Sequence, residues 1–270
     1  MSDVANNRIS GIWSGGAKAK ILAPFLTAGY PSLDATVALL RDFERRGVRL
    51  CEIGIPFSDP IADGPVIQAS FTETLEKGLK LSQVFAAIRQ YREQGGQLAL
   101  ACMISYSIVF RHGVKQFLAD AKSAGFDGMI VPDLPLEEAK TFEPLASSAG
   151  LANIMLIAPT TPAERRVEIA RHSRGFIYYM SIAGITGERD RLPEATISAV
   201  QELKRETATP VCVGFGISNA ATVASICQVA DGAIVGSAIV RRITEAKAKP
   251  LAEIVGHVGA FVGELLKGVE

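Results

Sequence analysis

The feature that most narrows the possible folds is a repeat. Short runs of β-branched and other apolar residues alternate with longer segments of helical periodicity along the chain. A strand that recurs after each helix reads as a parallel βαβ unit, because parallel neighbours need a crossover connection. Eight runs can be counted: Ile21 to Leu26, Leu50 to Ile55, Leu98 to Ile104, Gly128 to Val131, Asn153 to Ile157, Phe176 to Met180, Val211 to Phe215 and Gly232 to Val235. Helices are predicted between and after them at about 33–46, 71–94, 113–124, 136–149, 161–172, 192–206, 218–228 and 246–267. This alternation predicts an α/β chain that is a single-domain (β/α)8 TIM barrel over residues 1–270, with residues 1–14 as an extra N-terminal helix closing its bottom. A doubly wound open sheet is the rival arrangement.

Composition narrows the functions. Lysine plus arginine numbers 28 and aspartate plus glutamate 28, so no positive excess points to nucleic acid. The longest apolar stretches, such as Gly232 to Val240, stop at Arg241-Arg242, well short of the ~20 residues of a membrane helix. The first residues hold neither a basic segment nor an apolar one, so no leader is expected and the location is expected to be cytoplasmic. Cys51, Cys102, Cys212 and Cys227 lie far apart without a C-x-x-C pair and read as reduced thiols packed in the core. His112, His172 and His257 are not at ligand spacing, so no metal site is expected.

In a barrel of this kind chemistry gathers where strands end and βα loops begin. The second run, Leu50-Cys51-Glu52-Ile53-Gly54-Ile55, puts Leu50, Glu52 and Gly54 on one face. With Cys51, Ile53 and Ile55 facing the helices, Glu52 points into the barrel. Desolvation there raises a carboxyl pKa towards the range of a general acid or base; a glutamate neutralised by a buried cation is the structural alternative. The loop that follows, Pro56 to Pro65, has three prolines and the aspartates Asp59 and Asp63. Prolines stiffen it and display the carboxylates in defined directions. Asp59 reads as turn chemistry and Asp63 as functional. Two later strand ends carry glycine, Gly214-Phe215-Gly216 and Gly236-Ser237. They stand where loops and a helix N-terminus commonly hold a phosphate in barrel enzymes. Between Ser181 and Arg191, two glycines and four consecutive charges read as a lid.

These residues carry a resemblance. Glu52 to Pro65 resembles the signature strand and loop of the tryptophan synthase α-subunit family. Phe25 to Pro31, Val131 to Pro135, Gly184 to Gly187 and Gly214 to Ile217 are similar to further segments of it. The resemblance implies a carbon–carbon lyase of tryptophan biosynthesis. It would cleave indole-3-glycerol phosphate to indole and glyceraldehyde 3-phosphate by a retro-aldol reaction, with no cofactor in this subunit. It implies Glu52 as the general acid and base, and Asp63 as the acceptor of the indole N–H. Phe25, Tyr178 and Phe215 would lie at the substrate, and Gly187, Gly216, Gly236 and Ser237 would hold its phosphate. Thr186 would be the lid residue that meets Asp63.

The family's usual partner is a β subunit carrying pyridoxal phosphate, which receives indole in an α2β2 assembly. Ser107 stands where many members have asparagine, in a segment that usually faces that partner. The alternative of a lyase that works alone is therefore kept beside the complex. A non-catalytic binding barrel does not account for both Glu52 and Asp63.

Overall fold

The computed structural model describes residues 7–14, 19–60, 63–181, 194–214 and 216–269. Its strands are β1 (Ile21–Thr27), β2 (Leu50–Gly54), β3 (Ala99–Met103), β4 (Gly128–Ile130), β5 (Ala152–Ile154), β6 (Leu156–Ile157), β7 (Ile177–Met180), β8 (Val211–Gly214) and β9 (Gly232–Val235). All register pairs are parallel, in the order β5-β4-β3-β2-β1-β9-β8-β7-β6. The two ends of that order, β5 and β6, are consecutive pieces of the fifth run, parted only by Met155. The sheet therefore closes on itself as an eight-run barrel rather than lying open. Met155 bridges the seam, its carbonyl accepting from the Tyr178 N–H at 3.0 Å.

Around the strands lie α1 (Arg8–Gly11), α2 (Leu33–Arg45), α3 (Pro65–Glu76), α4 (Leu81–Glu93), α5 (Tyr106–His112), α6 (Val114–Ala124), α7 (Leu136–Ser148), α8 (Ala163–His172), α9 (Glu194–Glu206), α10 (Ala220–Val229), α11 (Ser237–Ala246) and α12 (Leu251–Leu266). Three expectations need correction. The helix expected at 71–94 is two helices, α3 and α4, because Gly78 takes φ +77° between them, a conformation that ends a helix cheaply only at glycine. The first of the two also starts earlier, at Pro65, with the proline at its first turn, where its missing N–H is no loss. Two short helices, α5 and α11, sit directly after strand ends where none was expected. The segment expected as one helix from 246 begins only at Leu251, after Pro250. Among the described residues no helix is long and apolar enough to cross a membrane.

At the N-terminal end of the barrel the strands are plugged. Ile9 of α1 is fully buried. A Cβ on Gly128 or on Gly175 would each come within 2.7 Å of its side chain, so glycine at those two places is what admits it. Asp127, 1% exposed at its side chain, ties this end together. Its carboxylate accepts from the Leu100 N–H at 3.0 Å, from Arg92 at 2.8 Å and from Arg8 at 3.1 Å, and its carbonyl accepts from Asn7 at 2.9 Å. Removing one member of a buried ion pair strands the other, which is strongly destabilising. Asp127→Ala is therefore expected to lower stability by about 3 kcal/mol or more. Thermal or denaturant unfolding of the variant beside the parent chain checks it, and an unchanged midpoint would show that the plug carries no such weight.

Candidate active site

Glu52 is the third residue of β2 and only 1% exposed. Alternation turns Cys51 and Ile53 to the other face of the strand, so Glu52 lies among the inward side chains, in register with Phe25 of β1. Its Oε1 is buried with no hydrogen-bond partner among the described residues. An unpaired buried oxygen favours the neutral acid. Burial accordingly pushes the Glu52 carboxyl well above its ordinary value of 4.5, and the nearby Asp63 carboxylate pushes it further.

Asp63 comes from the loop before α3. Its N–H donates to the Pro60 carbonyl at 3.0 Å and its carbonyl accepts from the Gln68 side chain at 2.8 Å. Gly64 and Pro65 then start α3, so the stiff loop is anchored at both sides of the carboxylate. Burial pushes the Asp63 carboxyl up to about 6. The Tyr178 hydroxyl is raised by burial and then by Glu52 and Asp63, which places all three groups within electrostatic reach of one another. Asp59 is exposed and accepts from the Ser58 hydroxyl at 3.0 Å, a local turn contact.

Two aromatic rings wall this acidic pair, and each has a glycine opposite. A Cβ on Gly54 would lie 2.4 Å from Phe25 Cζ, and one on Gly214 would lie 2.3 Å from Tyr178 Oη. Both distances are far inside van der Waals contact, so the rings lie where they do because the next strand offers no side chain there. The sequence reading places Gly54 on the Glu52 face and Gly214 at a strand end without their role of making room for the two rings. The available signal was a glycine at inward parity inside a strand.

The glycine-bearing end of β9 meets the acidic loop. Gly216 follows β8 at φ +74°, a backbone state open to glycine at little strain. Gly236 caps α11, whose N-terminus has no side-chain cap. Uncapped N–H groups and the helix dipole make such an end attractive to an anion. The Ser237 hydroxyl is 4.0 Å from where a Gly64 Cβ would stand, and the Gly236 position is 3.7 Å from Phe25 Cβ. Phe25, Glu52, Asp63, Tyr178, Gly236 and Ser237 are thereby gathered at one mouth. Thr186, Gly187, Phe215 and the expected lid beyond Ser181 lie outside the described residues.

A second cluster at the same end was not anticipated. The Asp133 carboxylate accepts from the Ser105 hydroxyl and the Tyr106 N–H, each at 2.7 Å, and so pins the start of α5. The Ser107 and Ser105 hydroxyl oxygens lie 2.8 Å apart. On the outer side of α5, Phe110 is 70% exposed beside Tyr106. The four cysteines are buried and unpaired. Among the described residues no group of three His, Cys, Asp or Glu is placed to hold a metal ion.

Residues 16–269 match the family described as tryptophan synthase alpha chain. The tryptophan synthase alpha chain of Rhodopirellula baltica is 42% identical over 264 residues, covering 94% of this chain and 95% of that one. The solved tryptophan synthase subunit alpha of Legionella pneumophila superposes with a TM-score of 0.86 at 31% identity, covering 100% of this chain and 98% of that one. A chain of the tryptophan synthase complex from Pyrococcus furiosus matches with a TM-score of 0.82 at 36% identity, covering 91% of this chain and 97% of that one. An interior carboxylate, an acidic loop and an uncapped helix start at the mouth of a closed barrel thus occur in a chain that belongs to the tryptophan synthase alpha chain family.

Proposed function

We propose that Glu52 and Asp63 carry out the carbon–carbon cleavage of this family's lyase reaction, in which indole-3-glycerol phosphate becomes indole and glyceraldehyde 3-phosphate. The observation that carries the reading is the buried Glu52 carboxyl beside Asp63, its Oε1 without a partner among the described residues. Glu52 in its acid form donates a proton to the indole ring carbon that bears the glycerol chain. The ring becomes an indolenine with positive charge at its nitrogen, and the Asp63 carboxylate accepts that N–H and offsets the charge. The carboxylate left on Glu52 then takes the proton of the adjacent chain hydroxyl. The carbon–carbon bond breaks, its electron pair returns to the ring to give indole, and the former hydroxyl carbon leaves as the aldehyde. Glu52 ends protonated again, so the cycle balances without another reactant.

Phe25, Tyr178 and Phe215 line the indole in this reading, with the Phe25 and Tyr178 rings facing Gly54 and Gly214. Gly187, Gly216, Gly236 and Ser237 hold the phosphate, with α11 directing its N-terminus at it. Thr186 meets Asp63 when the loop after β7 closes. The subunit itself uses no cofactor, and pyridoxal phosphate belongs to the β partner. Residues 1–270 form one barrel domain, working in the cytoplasm, where unpaired thiols stay reduced.

As a member of this family the chain works with a β subunit, in the family's α2β2 assembly. With the Ser107 hydroxyl 2.8 Å from that of Ser105, we assign the main contact on this face to the exposed Phe110 ring, since interface energy concentrates in aromatic anchors.

Glu52→Gln is expected to lower kcat by roughly 10²–10⁴-fold with KM little changed. In the parent chain kcat/KM should rise with pH as Asp63 ionises through about 6. Asp63→Asn removes that rise while leaving any limb that belongs to the substrate phosphate. Retained turnover in Glu52→Gln would overturn the assignment. Phe110→Asp is expected to weaken β-subunit binding by about tenfold or more, with basal indole release intact; titration calorimetry against the β subunit checks it.

A further inference from the structure

Asp63 stands just ahead of α3, so its place against Glu52 is set by how α3 sits on the barrel. The backbone hydrogen bonds of Asp63 stay inside its own loop and helix. Its N–H goes to Pro60, and the Gln68 side chain holds the Pro60 and Asp63 carbonyls at 3.3 and 2.8 Å. Helix α3 packs onto β1 and α11, and its Phe71 ring meets Phe57 with 5.5 Å between centroids. Apolar contact is non-directional and lets a helix slide. A polar contact fixes it. The Thr27 and Ser70 hydroxyl oxygens lie 2.7 Å apart, and the two residues are 0% and 2% exposed. Among the described residues this is the only hydrogen bond between α3 and a barrel strand.

Ser70 Oγ also lies 2.7 Å from the Ile67 carbonyl in the preceding turn. A hydroxyl has one hydrogen, so both bonds form together only with Ser70 donating to Ile67 and Thr27 donating to Ser70. Thr27 lies two residues beyond Phe25 on the same face of β1, in register with Gly54 as Phe25 is with Glu52. The bond therefore sets α3 directly against the two strands that carry Phe25 and Glu52.

We propose that Thr27 and Ser70 are positioning residues: their hydroxyl pair holds α3 at the seat from which Asp63 faces Glu52. The consequence for turnover rests on the catalytic role proposed for Asp63; the seating itself does not. Without the bond α3 shifts outward and Asp63 gains water. Burial is what raises its carboxyl to about 6, so that value falls. The titratable groups that face Asp63 are Glu52 from β2 and Tyr178 from β7. Asp59 is exposed on the same loop, and α11 brings Arg241 and Lys247 beside α3, with Lys247 paired to Glu73.

The test follows the Asp63 side-chain carboxyl of the full chain through a pH titration by carbon-13 NMR, its signal identified with Asp63→Asn, beside the pH profile of kcat/KM. In Thr27→Val, which keeps the shape and removes the hydroxyl, the midpoint is expected to fall from about 6 towards the ordinary 3.8. The plateau of kcat/KM at neutral pH should fall about fivefold. Ser70→Ala should do the same, and the double variant should fall little further than Ser70→Ala alone, since one bond is lost once. Thr27→Ser, which returns the hydroxyl, is expected to restore both readouts. A midpoint that stays at the parent value in Thr27→Val and Ser70→Ala overturns the proposal, as does a Thr27→Ser that behaves like Thr27→Val. A midpoint that falls while kcat/KM holds keeps the seating and overturns the role of Asp63 in turnover.

Discussion

Keeping a carboxyl group inside a barrel, with one oxygen unpaired among the described residues, is the constraint around which the rest of this molecule is arranged. Glu52 and Asp63 both have raised pKa values, so each binds its proton more tightly folded than unfolded. The sign follows from linkage: stability linked to Asp63 is fully present below its ordinary value of 3.8 and is lost as pH rises through about 6. Near neutral pH the folded state thus carries a destabilising pair. The closed sheet and its core must supply the stability that offsets it, a common trade at active sites.

The two ends of the barrel divide this labour. At the N-terminal end polar groups are satisfied. Asp127 accepts from the Leu100 N–H, Arg92 and Arg8. Asp231, which precedes β9 as Asp127 precedes β4, accepts from the Val211 N–H at 2.9 Å and from Lys204 at 2.6 Å. At the C-terminal end lie the Glu52 oxygen that has no partner among the described residues, the largely desolvated Asp63 and the start of α11 without a side-chain cap. Saturated pairing at one end holds the strands, which frees the other end to leave polar groups ready for a ligand. Cys212 and Tyr178, in register on β8 and β7, extend the Glu52 neighbourhood into the barrel, and burial raises both before Glu52 adds to the effect.

Much of this was legible from residue types and their periods. The strand runs, the inward parity of Glu52 and the proline-stiffened Asp63 loop follow from local rules, because strand alternation and proline geometry act over a few residues. Helix boundaries were less legible. Gly78 lies inside the stretch 71–94 expected as one helix, yet its positive φ splits α3 from α4. Short α5 and α11 are set by what their ends touch, Asp133 in one case and the mouth of the barrel in the other, and neither is a local property. Gly54 and Gly214 show the same limit from the other side. Their importance is the missing Cβ opposite a ring on a neighbouring strand, a relation that only the register reveals.

Glu52 is held as a neutral acid by its surroundings. The most direct measurement is infrared difference spectroscopy of the parent chain against Glu52→Gln through a pH titration, following the C=O stretch of a protonated buried carboxyl. A band missing from the variant is expected to persist well above pH 4.5, the ordinary glutamate value. A Glu52 carboxylate already ionised near that value would contradict it.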